Sequence, residues 1–121
     1  AGNVSEWIVS GVGGAPNTRR RADEFAARSG QGAPELLALL DKALDNADAV
    51  LAELTEADLD APCTIQGRET TVLEAVYHVV EHFSMHVGQI ILVAKMHAPG
   101  AVQFYEDAGG LARPAWRDAA R

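Results

Sequence analysis

Three of the four histidines in the chain recur at four-residue spacing, in Tyr77-His78-Val79-Val80-Glu81-His82-Phe83-Ser84-Met85-His86-Val87-Gly88-Gln89-Ile90. Imidazole is the commonest side-chain ligand for transition metals. Two imidazoles one helical turn apart can reach a single ion at about 2.0–2.1 Å per bond. His78 and His86, eight residues apart, are separated by about 12 Å of helix axis, which makes it hard for them to share one ion. One adjacent pair should therefore bind, and the third histidine should do something else.

With His78 set at zero and about 100° per residue, His82 falls at about 40° and His86 at about 80°. The apolar stripe of Val76, Phe83, Val87, Ile90 and Ala94 centres near roughly 150° on the same scale. His86 is thus expected beside the core-facing stripe and His82 just outside it, with Gln89 in line with the histidines. This placement favours His82 with His86 as the metal pair, pointing into a bundle whose facing helices complete the coordination.

A rival pair exists. His78-Val79-Val80-Glu81-His82 fits the H-x-x-E-H pattern of inverted zinc peptidases, with Glu81 as general base. Those enzymes need a distant third ligand and a large fold, and only 39 residues follow His82. The forward H-E-x-x-H pattern fails, because Phe83 follows His82 where glutamate is required. The plainer alternative is a set of hydrogen-bonded helix histidines with no ligand. Coordination would give two core-facing imidazoles a reason to be desolvated. His97 reads as a helix C-terminal residue interacting with the dipole, and Cys63 as an inert thiol.

The positioning elements can be read from periodicity. Val4, Trp7, Ile8 and Val12 form one apolar stripe that Gly11, Gly13 and Gly14 end abruptly, so residues 1–12 read as the last turns of a helix. No capping residue other than Asn3 precedes it. Residues 15–32 read as a loop with one short helix near Arg20 to Arg28, and Arg19 to Arg21 as part of its solvated surface. Pro34 and Glu35 suit a helix start. Leu36, Leu40, Leu44, Ala47, Leu51 and Leu54 then follow one face, giving a helix over 34–55. Pro62 and Gly67 break the pattern with a tight turn between short extended pieces. Thr71-Val72-Leu73-Glu74 has capping-box spacing and opens the histidine helix, expected over 71–97. The tail, 98–121, with Phe104, Tyr105, Leu111 and Trp116, reads as a loop with one turn of helix.

The 121 residues make one expected domain, 48% apolar and 22% charged, which excludes a disordered or fibrous chain. Its net charge is −7. Eight acids between Pro34 and Pro62 face one base, Lys42, and read as a solvated helix face. Nucleic-acid binding is disfavoured by that balance. No apolar run reaches the roughly 18 residues of a membrane span. One cysteine excludes an internal disulfide and suggests a reducing, cytoplasmic compartment. No secretory signal is visible at Ala1.

His82-Phe83-Ser84-Met85-His86-Val87-Gly88-Gln89-Ile90 resembles the last-helix motif of the DinB-like (damage-inducible) family. Ala1-Gly2-Asn3, followed by Trp7-Ile8, resembles the end of that family's second-helix motif, His-Leu-x-Gly-Asn. Cys63-Thr64-Ile65-Gln66-Gly67-Arg68-Glu69 also fits one branch. The likeness covers Ala1 to about Met96. It implies an all-α, up-down-up-down four-helix bundle, with the first helix and the start of the second absent, so that the chain is expected to be an N-terminally incomplete member. It further implies a divalent metal, zinc or nickel foremost, held by His82, His86 and a third histidine two positions upstream of Ala1. Relatives include transferases and isomerases that use low-molecular-weight thiols. The resemblance therefore implies a metal-dependent thiol transferase or hydrolase acting on a small molecule, with no catalytic residue assigned. Three visible helices leave one side of a bundle uncovered, which makes a homodimer plausible. The alternatives are a non-catalytic metal-binding or structural bundle, and an interaction module that binds no metal.

Overall fold

A computed structural model describes residues 1–101 and 103–115. The backbone divides into a first unit, 1–82, and a second that begins at Phe83. Trp116 lies outside the described residues.

In the first unit, an opening turn α1 (Gly2–Val4) runs directly into a π-helical segment, Ser5–Val12. The wider turn shows in Gly13, whose N–H donates to the carbonyl of Ile8, five residues back, at 2.8 Å. Val4, Trp7 and Ile8 are buried, as their spacing predicts. Gly11, expected to help end this helix, lies inside it. A Cβ there would fall 2.5 Å from Ile65 Cδ1, so the missing side chain lets the neighbouring strand approach.

The short helix of the following loop is α2 (Arg21–Ala26). Arg19, expected in solvent, is instead only 11% exposed and bridges Glu6 at 2.8 Å and Glu24 at 2.6 Å. Gln66 and Asn17 also donate to Glu6, at 2.7 and 3.0 Å. Burial of the guanidinium is offset by these two carboxylates, which ties the loop to the π-helical segment. Arg20 and Arg21 do remain exposed.

Helix α3 (Ala33–Ala52) starts where Pro34 predicts and stops three residues short of the expected end. Its acidic residues are exposed, as expected. The leucine stripe is covered only in part. Ala43 and Ala47 are buried and Leu40 and Leu44 half-buried, whereas Leu36 is 50% exposed. The cause is length: α1 and the π-helical segment together have 11 residues against the 20 of α3, and cannot cover all of it.

A 3₁₀ turn (Glu56–Asp58), closed by a Thr55–Asp58 capping box, leads to an antiparallel hairpin, β1 (Pro62–Ile65) and β2 (Arg68–Thr71). Its two-residue turn uses Gln66 at φ 55° and Gly67 at φ 74°, the left-handed pair that suits tight hairpins. Helix α4 (Val72–His97) follows at once. Ile65, Val72, Ala75 and Val79 complete the buried set of this unit.

In the second unit the rest of α4 is followed by a second small hairpin, β3 (Tyr105–Asp107) with β4 (Ala112–Pro114). The expected loop with a helical turn is thus a strand pair in its described part. Gly109 and Gly110, both at positive φ, make the reversal, and Asp107 Oδ1 accepts from the Gly110 N–H at 2.7 Å. The described residues are mostly helical. None of their helices is long and apolar enough to cross a membrane.

Candidate functional site on the histidine helix

The start of α4 is fixed by a reciprocal cap. The Thr71 N–H donates to Glu74 Oε2 at 3.0 Å, and the Glu74 N–H to Thr71 Oγ1 at 3.3 Å. The N–H groups of Val72 and Leu73 donate to the carbonyls of Ala61 and Leu59. The rotation of the first turns is therefore set, and Val72, Ala75 and Val79 face the core of the first unit.

That rotation brings His78 against Trp7, with ring centroids 3.8 Å apart and planes 29° apart. Asn3 Nδ2 lies 3.5 Å from His78 Nε2, the long limit of a hydrogen bond. A donating amide there puts the imidazole lone pair on Nε2 and the proton on Nδ1. Two buried polar atoms beside the ring, Asn3 Oδ1 and Trp7 Nε1, have no hydrogen-bond partner among the described residues. His82 is half-buried, its ring centroid 5.8 Å from that of His78 and tilted by 34°.

His86, one turn further along α4, is exposed. Its Nδ1 is 2.8 Å from Gln89 Oε1. A carboxamide oxygen only accepts, so Nδ1 is the donor in this contact. The expectation that His86 flanks a buried stripe fails. Ile90 is 67% exposed and Val87 is exposed too, while Val76, Phe83 and Ala94 are half-buried. The angular average assumed every apolar position of a long helix to be covered, whereas its buried positions lie in its first turns. His78, placed farthest round by that average, is the histidine packed on an aromatic core residue.

Among the described residues no group of three or more His, Cys, Asp or Glu could hold a metal ion. His82 and His86, expected as a metal pair, are thus not joined by a third such donor among the described residues. Cys63 is half-buried. Burial, then the nearby Glu69 and Glu74 carboxylates, push its thiol above the ordinary value, which keeps it protonated and inert.

A cleft of about 320 Å³ opens beside Trp7 and His78, lined also by Arg68, Glu69, Thr70 and Glu74. Sequence reasoning missed it. The capping role of Glu74 and the hairpin turn were legible, but nothing local announces that residues of β2 and Trp7 line one cleft with His78.

Residues 1–104 match the family described as Protein of unknown function (DUF1572). The chain belongs to this family. No curated protein and no solved structure matches it. The DUF1572 match takes in Asn3, Trp7, the hairpin, the cleft and all four histidines.

Proposed function

We propose that this DUF1572 chain is a divalent-metal-binding protein of the DinB-like four-helix-bundle kind, with His82 and His86 as its ligand pair. The contact that carries the reading is Gln89 Oε1 on His86 Nδ1 at 2.8 Å. Metal-binding histidines characteristically donate their second ring N–H to an oxygen acceptor, which fixes the tautomer and the ring orientation. The engagement of His78 by Trp7 and Asn3 adds support, since it gives that histidine another task. It also weakens the His78–Glu81–His82 peptidase reading. Such a pair needs a third donor, which a second copy of the chain in a homodimer can supply.

A divalent ion held there, zinc or nickel foremost by the family resemblance, would supply Lewis acidity to a thiol or a water. Gln89 orients His86 within the pair, and the protonated Cys63 takes no part. The reading extends to a cytoplasmic thiol transferase or hydrolase acting on a small molecule. Titration with cobalt(II), followed by 2-mercaptoethanol, tests this. Appearance of visible absorption on cobalt addition, shifted by the thiol, is the expected result. A spectrum indifferent to thiol would overturn the thiol-transferase assignment, and absence of any cobalt absorption the metal reading itself.

A second reading, a helical interaction module, is favoured by the exposure of Ile90, at 67%, and Met96, at 71%. Self-association without any cobalt absorption would support it.

A further inference from the structure

One line of residues along α4 has a charge pattern that is symmetric about a glycine. From Phe83 to Ala94 the helix carries no Asp, Glu, Lys or Arg, and the run is bracketed by Glu81 on one side and Lys95 on the other. Gly88 lies midway, seven residues from each, which is about 10.5 Å of helix axis in either direction. Seven residues bring a helix back to within about 20° of the same face, so Glu81, Gly88 and Lys95 stand in one row.

All three are exposed, and so are Ser84, Met85 and Leu92 beside them, Met85 at 51% and Leu92 at 60%. Among the described residues Glu81 forms no ion pair, and neither does Lys95, whose ammonium lies 5.6 Å from the Phe104 ring centroid. Glycine weakens the interior of a helix. A Cβ on Gly88 would meet nothing within 4 Å, so the packing of this chain does not require a glycine there. A bare backbone on an exposed helix face suits the close approach of another backbone.

We infer that this row pairs with the same row of a second copy of the chain, antiparallel, about a two-fold axis beside Gly88. Residues equally far from Gly88 on its two sides then face each other. Glu81 meets the partner's Lys95, and Lys95 the partner's Glu81, which makes two ion pairs of opposite sign. On one flank Met85 meets the partner's Leu92, and on the other the small Ser84 meets the partner's Ile91. A parallel pair would instead set Glu81 against Glu81 and Lys95 against Lys95. Each copy carries a charge of −7, with eight acids between Pro34 and Pro62, so two copies meet with least repulsion along the uncharged run of α4. The row lies about 160° round the helix from His86, so the pairing stands independently of the metal reading.

The test is sedimentation equilibrium of the full chain. The expected result is a dimer that Gly88→Leu reduces to a monomer. Circular dichroism should show that variant still helical, because the space around Gly88 is open and leucine favours a helix. Glu81→Lys and Lys95→Glu should each weaken the dimer by about tenfold, since each sets two like-charged pairs opposite one another. Combining the two exchanges restores opposite signs and should restore the affinity. A chain that stays monomeric, with the face bare or taken by a different protein, would overturn the proposal. So would a dimer that Gly88→Leu leaves intact, or a double exchange no tighter than either single one, as a parallel pair would give.

Discussion

The imidazole of His78 lies over the indole of Trp7, with 3.8 Å between ring centroids. Trp7 comes from the π-helical segment and His78 from α4, so this single contact joins two elements of the first unit far apart in sequence. It also divides the histidine series into one packed member and two others. Trp7→Ala should destabilise the chain by about 3–5 kcal/mol, the range for deleting a buried aromatic. His78→Ala should cost less, about 0.5–1.5 kcal/mol for the lost ring pair. Urea denaturation followed by circular dichroism measures both, and a larger loss at His78 than at Trp7 would contradict this packing.

The hairpin feeding α4 depends on its left-handed turn. Gly67 sits at φ 74°, and a Cβ added there would have nothing within 4 Å. Gly67→Ala should therefore lose stability through backbone strain alone, by about 1–2 kcal/mol. A thermal melt showing no change would mean that the turn can relax to another type.

Acid sensitivity should centre on Arg19. Burial pushes the Glu6 carboxyl up, but hydrogen bonds from Arg19, Gln66 and Asn17 outweigh this and hold it below its ordinary 4.5. Hydrogen bonding from Arg19, offset in part by burial, likewise lowers Glu24. Carboxylates with lowered folded values contribute stability that is complete above about pH 4.5 and is lost as pH falls through those values. Arg19→Gln should thus be less stable than the parent chain near neutrality, with the gap closing on acidification. Denaturation midpoints compared at pH 7 and pH 3 report this. A gap that widens in acid would reverse the sign argued here.

Local chemistry made part of this structure legible and left part hidden. The Thr71–Glu74 box, the turn at Gly67 and the helix start at Pro34 involve neighbours in sequence, and each stands where its residues indicate. Coverage of a helix face depends on the length of what packs against it. The leucines of α3 and the apolar residues of α4 beyond Phe83 therefore read as more buried than they are. Arg19 was hidden among three consecutive arginines, because only the folded loop brings Glu6 and Glu24 to it. Gln89 could be aligned with the histidines by angle, yet its bond to His86 needed coordinates.

Metal content after equilibrium dialysis against zinc or nickel tests the ligand pair most directly. The parent chain and His78→Ala should retain the ion, while His82→Ala and His86→Ala should lose it. Gln89→Ala should weaken retention by about 10–100-fold, the usual effect of removing a ligand's supporting acceptor. Undiminished metal in both His82→Ala and His86→Ala would contradict the account.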